Sequence, residues 1–457
     1  MTARHGALLL GSTLALGCPS PTSPAMTDTQ TEGSTGTTAE PSPDTDTDTI
    51  GESEDTSAGT VGETTGPMSC ERHEQCTEPL LPLCGPDGLC VSCDELPEPD
   101  AACAELDPMA PLCVGGQCVQ CSEQDATACD GMLCDAETNS CYPCTAHDQC
   151  GEAACNLFTG QCLPPDEVVH VGPGFLHDRI DDAVATFNSP GDQGTIIVHG
   201  SGDYFGQPVV IGNAQTIAIL ADDGDLPRWI QSTAVPHLRV VVDATVLVDG
   251  MQISGSPGGP GVEVDGGRLW IDRGRIIDNN GGGVVVAGAD EQPLTPDLVL
   301  RNCFVGRSEN NIAAVDVYGA TAQVSYSTII GGTGSLAEGL RCTVGSTVSV
   351  RNTIVLIESD NPPVACDDAT FVHSVSEIEL PGPDEVVDPG NVNTGDFSDV
   401  SGWFINTVSG DFGLSGMHPV AIDTAAQWTS GDPPTDIDGD PRPTTDGAMD
   451  FAGADVP

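Results

Sequence analysis

Three sets of side chains carry whatever chemistry this sequence can offer. The first is carboxylate. Asp249, Asp272, Asp278 and Asp316 punctuate a β-branched stretch and are the candidates for acid–base work, because paired carboxyls can protonate a leaving oxygen and activate water or abstract a proton. The second is guanidinium. Arg268, Arg273, Arg275, Arg301 and Arg307 form the one basic cluster, suited either to an anionic sugar or to balancing neighbouring acids; the surplus of acid favours balance. The third is cysteine, of which there are 20. Asp436, Asp438 and Asp440 alternate as in a calcium loop, but Pro441 stands where such a loop needs glycine and Gly447 where it needs an acid. That segment reads as a structural turn with Arg442 as its local ion partner. The nine His are scattered without metal spacing, so no metal and no cofactor is expected, and no catalytic residue can be assigned. With 69 acidic residues, outward acids stacked on a solvated face are expected from composition alone.

The chain has 457 residues with 13 basic and 69 acidic side chains, a formal net charge of −56, and every basic residue is Arg. Such a charge repels phosphate backbones, which excludes nucleic acid as a partner. With 55 Gly, 36 Pro and 4% aromatics, the composition favours turns over helices. So many cysteines point to an oxidising compartment unless they bind metal.

Export is also legible at the start. Met1–His5 is polar, Gly6–Leu16 is apolar or small, and Gly17-Cys18 follows. The run is too short to span a bilayer, which takes about 20 residues, and fits a secretory core. Ala15-Leu16-Gly17-Cys18 resembles a bacterial lipoprotein signal, with Ala15 where that signal usually has Leu. The resemblance implies a signal peptide over 1–17, diacylglycerol on the Cys18 sulfur and acylation of the new amino group, hence a membrane partner through lipid. Pro19 in place of Asp points to the outer membrane or cell surface. The alternative is an ordinary secretory signal. Residues 18–69 are Thr, Ser, Gly, Pro and acid, a composition that cannot bury enough apolar surface to fold and is expected to form a disordered, extended tether.

Sixteen cysteines then divide into four groups: Cys70, Cys76, Cys84, Cys90; Cys93, Cys103, Cys113, Cys118; Cys121, Cys129, Cys134, Cys141; and Cys144, Cys150, Cys155, Cys162. The repeats start 23, 28 and 23 residues apart, a linear array over 70–164. Units this small cannot hold a fold by apolar burial, so two disulfides per repeat are preferred to zinc ribbons. Spacing leaves the connectivity open; first to third and second to fourth is the pairing we take. The array resembles small cysteine-rich modules of extracellular proteins, which implies a spacer or a protein-binding surface.

From 165 to 457 the expected fold class is all-β, a right-handed parallel β-helix with three-strand rungs. Val246–Val248, Leu269–Ile271, Leu298–Leu300, Ala322–Val324 and Val348–Val350 end 23, 29, 24 and 26 residues apart. Five residues after each stands Ile253, Ile276, Val305, Ile329 or Val355, and a second strand family (Val262–Val264, Val284–Val286, Val315–Val317, Leu340–Cys342, Val364–Cys366) keeps step. A period of about 25 residues with three short strands is one rung of such a solenoid; a β-sandwich does not predict ladders in phase. Ile180, Ala183, Val184 and Phe187 share one helical face, predicting a capping helix over 178–187. Cys342 and Cys366 end equivalent strands 24 residues apart, so stacking at about 4.8 Å would allow a disulfide. The alternative is two buried, reduced cysteines. Cys303 aligns instead with Met251, Gly274, Ser327 and Thr353 and is expected to be a free thiol.

This ladder resembles the pectin-lyase-like β-helix proteins. The C-terminus, through Asp411-Phe412-Gly413-Leu414, Pro419–Asp423, Asp436–Pro443 and Asp450–Asp455, resembles the bacterial choice-of-anchor Q group. That resemblance implies a surface protein without an established common activity. Trp270-Ile271-Asp272 resembles a pectate-lyase strand, but Arg273 follows where that family has His. Two functions of different class remain: a non-catalytic binding or display protein, with an extracellular polysaccharide or protein as ligand, or a polysaccharide lyase or hydrolase. A groove gathering acids with Arg or His on one face would separate them.

Overall fold

The computed structural model describes residues 68–77, 80–288, 297–307, 312–343, 345–358, 362–366, 369–377, 392–393 and 400–457. Cys18, the signal and the acidic tether up to residue 67 lie outside the described residues. Residues 65–457 form one compact unit.

The array consists of four hairpins: Leu83–Cys84 with Cys90–Val91, Leu112–Val114 with Gln117–Val119, Leu133–Asp135 with Ser140–Tyr142, and Cys155–Asn156 with Gln161–Cys162. In each repeat the first cysteine bonds the third and the second the fourth, from Cys70–Cys84 and Cys76–Cys90 through Cys144–Cys155 and Cys150–Cys162. The longer second repeat accommodates the helix Pro99–Leu106, which opens with proline in its first turn, where the missing N–H costs nothing, and buries Cys103.

The remainder is a right-handed-type parallel β-helix of three walls. Among the described residues, wall 1 has nine strands, from Val168–Val171 and Gln193–Val198 through Thr245–Asp249, Arg268–Asp272 and Asp297–Arg301 to Ala369–Val372. Wall 2 has nine, from Asp203–Phe205 to Val392–Asn393, and wall 3 seven, from Val209–Ile211 to Val364–Ala365. Within each wall, strands one turn apart are parallel and in register, so Val246 stacks on Leu269 and Leu269 on Leu298. Alternation sends these residues inward, where they are fully buried.

From Thr245–Asp249 onward, the sharp corner from wall 1 to wall 2 takes two residues per turn. The first is left-handed at each of these levels: Gly250 (φ 71°), Arg273 (48°), Asn302 (53°), Tyr326 (45°), Asn352 (55°) and His373 (51°). Glycine and asparagine suit this conformation; the others hold it against a cost of roughly 1 kcal/mol each. The second residue points inward and stacks. Ser327 Oγ accepts from the Cys303 N–H and donates to the Ser325 carbonyl, and Thr353 and Ser374 repeat the pattern. Cys303 takes the same place in this ladder as a buried free thiol, and burial pushes its pKa upward. On wall 3, Cys342 and Cys366 are joined by a disulfide with Cα atoms 4.6 Å apart.

The capping helix is shorter than the periodicity suggests. It spans Ile180–Val184, because Arg179 is extended and the chain tightens after Val184 into turns closed by Thr186 and Phe187. Its face is nonetheless buried: Ile180, Ala183, Val184 and Phe187 join the solenoid core at the turn where only wall 1 has a strand. Gly194 permits this approach, since a Cβ there would meet the Phe187 ring at 2.1 Å.

The C-terminal segment lies on wall 2. Phe404, Phe412, Leu414, Ile422 and Trp428 pack over the outward Ile277, Phe304, Ile330, Ile354 and Leu356. Here the turn at Asp436 differs from expectation. Asp436 accepts the N–H groups of Asp438, Asp440 and Val456, and Asp438 pairs with Arg275, so two of the three acids are engaged away from Arg442. Arg442 instead bonds Asp450 at 3.1 Å and the Phe451 and Gly453 carbonyls, with its guanidinium 4.2 Å from the Tyr326 ring centroid.

One core residue makes the fold acid-sensitive. His237 is fully buried, and its Nε2–H donates to the Ser254 carbonyl at 2.8 Å. Burial pushes its pKa down to about 4, against 6.5 for the ordinary side chain. Between these values the unfolded chain binds a proton that the folded chain refuses. Stability present above pH 6.5 is therefore lost as pH falls towards 4, by about 3 kcal/mol at about 1.4 kcal/mol per unit. Urea midpoints from pH 7 to 4 should fall steeply in the native protein and more shallowly in His237→Gln; identical slopes would refute the assignment.

Candidate functional site

Two of the four candidate acids gather at the end of wall 1, where Asp249, Asp272 and Arg301 are register partners on successive turns; Asp278 instead follows a strand of wall 2, and Asp316 lies on wall 3. The three register partners point outward. Asp249 and Asp272 are nevertheless buried, each 8% exposed. Each of the four candidate acid–base carboxylates is held by an arginine from the following turn. Arg273 grips Asp249 through two bonds of 2.8 and 2.6 Å. Arg301 Nε donates to Asp272 at 2.8 Å, with its terminal nitrogen also on that carboxylate. Arg307 reaches Asp278 at 2.8 Å, and Arg341 Nε reaches Asp316 at 3.0 Å, with a second bond beside it. Arg228 does the same for Asp203, whereas Arg239 reaches forward to Asp265 on the next turn. These pairs, bidentate at Asp249 and Asp316, tie neighbouring turns of the solenoid together.

The electrostatics follow from burial. Desolvation raises the pKa of Asp272, Arg301 opposes it and the nearby Asp249 adds to it. The hydrogen bonds from Arg273 to Asp249 hold that guanidinium firmly charged. The other members of the basic cluster are also engaged: Arg275 pairs with Asp438 at 2.5 Å, and Arg268 lies 4.1 Å from the Phe158 ring centroid.

Phe158 belongs to the fourth cysteine repeat, and it explains why outward acids are buried. That repeat sits on the outer face of wall 1. Ala154 and Leu163 pack on the outward Ala218 and Leu247, with Leu157, Leu220 and Trp270 around them. Phe158 meets Trp270 edge to face at 5.5 Å, Arg301 lies 5.4 Å from the Trp270 ring centroid, and the Ala154 N–H donates to Thr195 Oγ1 at 2.9 Å. His147 of the same repeat accepts the Cys155 N–H at 3.1 Å. Burial lowers its pKa, Asp249 opposes that effect, and Arg301 and Arg273 reinforce it.

The discriminating feature is thus present in part: acids, arginines and a histidine do gather on one face. Asp249 and Asp272 gather beneath a docked repeat, each paired with a guanidinium group, while Asp278, 41% exposed, and Asp316 are paired elsewhere. A general acid or base must exchange its proton with substrate, which a buried, ion-paired carboxylate is poorly placed to do. The cysteine sulfurs also approach in threes, Cys70, Cys76 and Cys90 for example, but they are disulfide-bonded rather than thiolate.

Comparison with known proteins gives this. A family of unknown function (DUF8331) matches residues 55–168, the array and its approach. No curated protein matches. Among solved structures, the pectate lyase Pel9A is similar at 12% identity, over 63% of this chain and 95% of its own, with a TM-score of 0.32. A pectin methylesterase from Aspergillus niger is similar at 12% identity, over 52% and 88%, with a TM-score of 0.27. The β-helix itself rests on the strand order and register described above.

Sequence reasoning did not find the docked repeat, although a signal exists. Thr216–Ala221 and Thr245–Asp249 are apolar on both faces (Ile217, Ala218, Ile219, Leu220; Val246, Leu247, Val248), the pattern of strands covered on both sides.

Proposed function

We propose that this chain is a lipid-anchored, exported protein whose β-helix is a rigid, non-catalytic scaffold for binding or display. The observation that carries this reading is the engagement of all four candidate carboxylates by arginines of adjacent turns. Ca²⁺-assisted proton abstraction or glycoside hydrolysis needs carboxylates that face substrate. The resemblance of the C-terminus to the choice-of-anchor Q group and of Ala15–Cys18 to a lipoprotein signal supports attachment to the outer membrane or cell surface through Cys18. The acidic segment 18–69 would act as the tether, the disulfide array as the spacer, and an extracellular polysaccharide or protein would be the ligand.

Incubation with acidic and neutral polysaccharides, with and without Ca²⁺, should release neither unsaturated nor reducing ends. Cleavage that disappears in Asp272→Asn would establish a lyase or hydrolase instead. For the anchor, native protein should partition into detergent and Cys18→Ala into the aqueous phase. Aqueous partitioning of both would remove the lipid from the proposal.

A further inference from the structure

At the N-terminal end of wall 1, away from the covered acids, two imidazoles converge. His170 points outward from the first strand, and His199 follows the second. Asp222 accepts the Nδ1–H of His199 at 2.7 Å, which leaves His199 Nε2 as a lone pair. His199 Nε2 therefore accepts the Nδ1–H of His170 at 2.9 Å, and an entering ion replaces that proton, His170 then taking its Nε2–H tautomer. From these residues we propose a divalent transition-metal site, of Cu²⁺ or Ni²⁺ type, with His199 Nε2 and His170 Nδ1 as ligands and Asp222 as the carboxylate that orients His199.

The spacing of the hydrogen-bonded pair, if kept on metal binding, favours one metal class. Two nitrogens 2.9 Å apart, each about 2.0 Å from one ion, subtend about 90° at it. That is the cis angle of a tetragonal or square-planar centre; a tetrahedral zinc would need the nitrogens about 3.3 Å apart. The arrangement of a carboxylate on the distal nitrogen of a ligating histidine fixes its tautomer and raises its basicity.

The rings are held in place before any ion arrives. Phe175 stacks on both, at 4.3 Å from His199 and 5.3 Å from His170. The Tyr204 hydroxyl donates to the His199 carbonyl. Asp225 accepts the Gly200 N–H at 2.5 Å and so pins the acidic loop that carries Asp222. That loop, Asp222-Asp223-Gly224-Asp225, surrounds the pair with negative charge and raises the local concentration of cations. The His199 side chain is 22% exposed, so the remaining coordination positions open to solvent or to oxygen donors of a bound ligand.

The test is a Cu²⁺ titration of the full mature chain with calorimetry and pulsed electron paramagnetic resonance. One ion should bind per chain with two imidazole nitrogens coupled to it. His170→Gln and His199→Gln should each abolish that signal, and Asp222→Asn should weaken binding about 10–100-fold. Thermal unfolding of the variants checks that each is folded, and the nitrogen count on the native protein stands without them. No stoichiometric binding, a single coupled nitrogen, or a two-nitrogen signal that survives either His substitution would overturn the site.

Discussion

Asp272→Ala should destabilise the β-helix by about 3–5 kcal/mol, far beyond what an outward-facing acid on a sheet normally contributes. The Asp272 and Arg301 side chains are only 11% and 18% exposed, and Arg301 also lies over Trp270 beneath the fourth repeat. Removing the carboxylate leaves a guanidinium out of water without its counter-charge, and that orphaned charge dominates the loss. Replacing both partners with apolar residues of similar size, Asp272→Leu with Arg301→Met, should therefore recover most of the stability. The same deletion at an open pair provides the control. Arg228 and Asp203 are 46% and 35% exposed, so Asp203→Ala should cost less than about 1 kcal/mol. Urea unfolding at constant slope reads all three variants. A loss below 1 kcal/mol for Asp272→Ala would mean that solvent reaches this pair and that the repeat does not seal it.

Arg442→Ala should have an effect of similar size, confined at first to the C-terminal segment. Its side chain is fully buried, and Asp450 opposite is 2% exposed. The guanidinium spans a carboxylate, two carbonyls and the Tyr326 ring, so its loss strands an acid and two acceptors together, at about 3–5 kcal/mol. Lysine should not rescue it, because a single ammonium cannot reproduce the planar fork. Limited proteolysis should cut the Arg442→Ala variant within 400–457 while the array and the solenoid persist, and Trp428 emission should shift to the red. Unchanged proteolysis and emission would show that the segment is held by apolar contact with wall 2 alone.

The solenoid was legible because its ladders repeat in the sequence itself: Leu269 and Ile271 announce the same inward face as Leu298 and Leu300, and stacking like on like needs no long-range information. The corner ladder was legible for the same reason, since Cys303 falls in phase with Ser327 and Thr353. The helix at Ile180–Val184 was legible in its apolar face but not its length, because four apolar residues at helical spacing do not say where hydrogen bonding stops. What periodicity cannot encode is what lies on the outside of the walls. Phe158 and Trp270 are 112 positions apart in the chain, and Arg275 and Asp438 are 163 apart, with nothing in either local pattern naming the other. Arg442 illustrates the same limit at short range. Three acids precede it closely, yet it takes Asp450, while backbone amides and Arg275 hold Asp436 and Asp438; nothing in the local spacing of acids names the partner.

The placement of the fourth repeat over wall 1 is the claim on which the structural reading of the acids depends, and hydroxyl-radical footprinting of the intact protein tests it directly. Leu247 faces outward from wall 1 and would be accessible on a bare solenoid, yet it is fully buried beneath Ala154 and Leu163. Leu176, 90% exposed, and Phe205, 65% exposed, serve as internal standards. Leu247 and Leu163 should remain unmodified under doses that oxidise Leu176 and Phe205 extensively. Modification of Leu247 at a rate close to that of Leu176 would contradict the docking and return Asp249 and Asp272 to an open face.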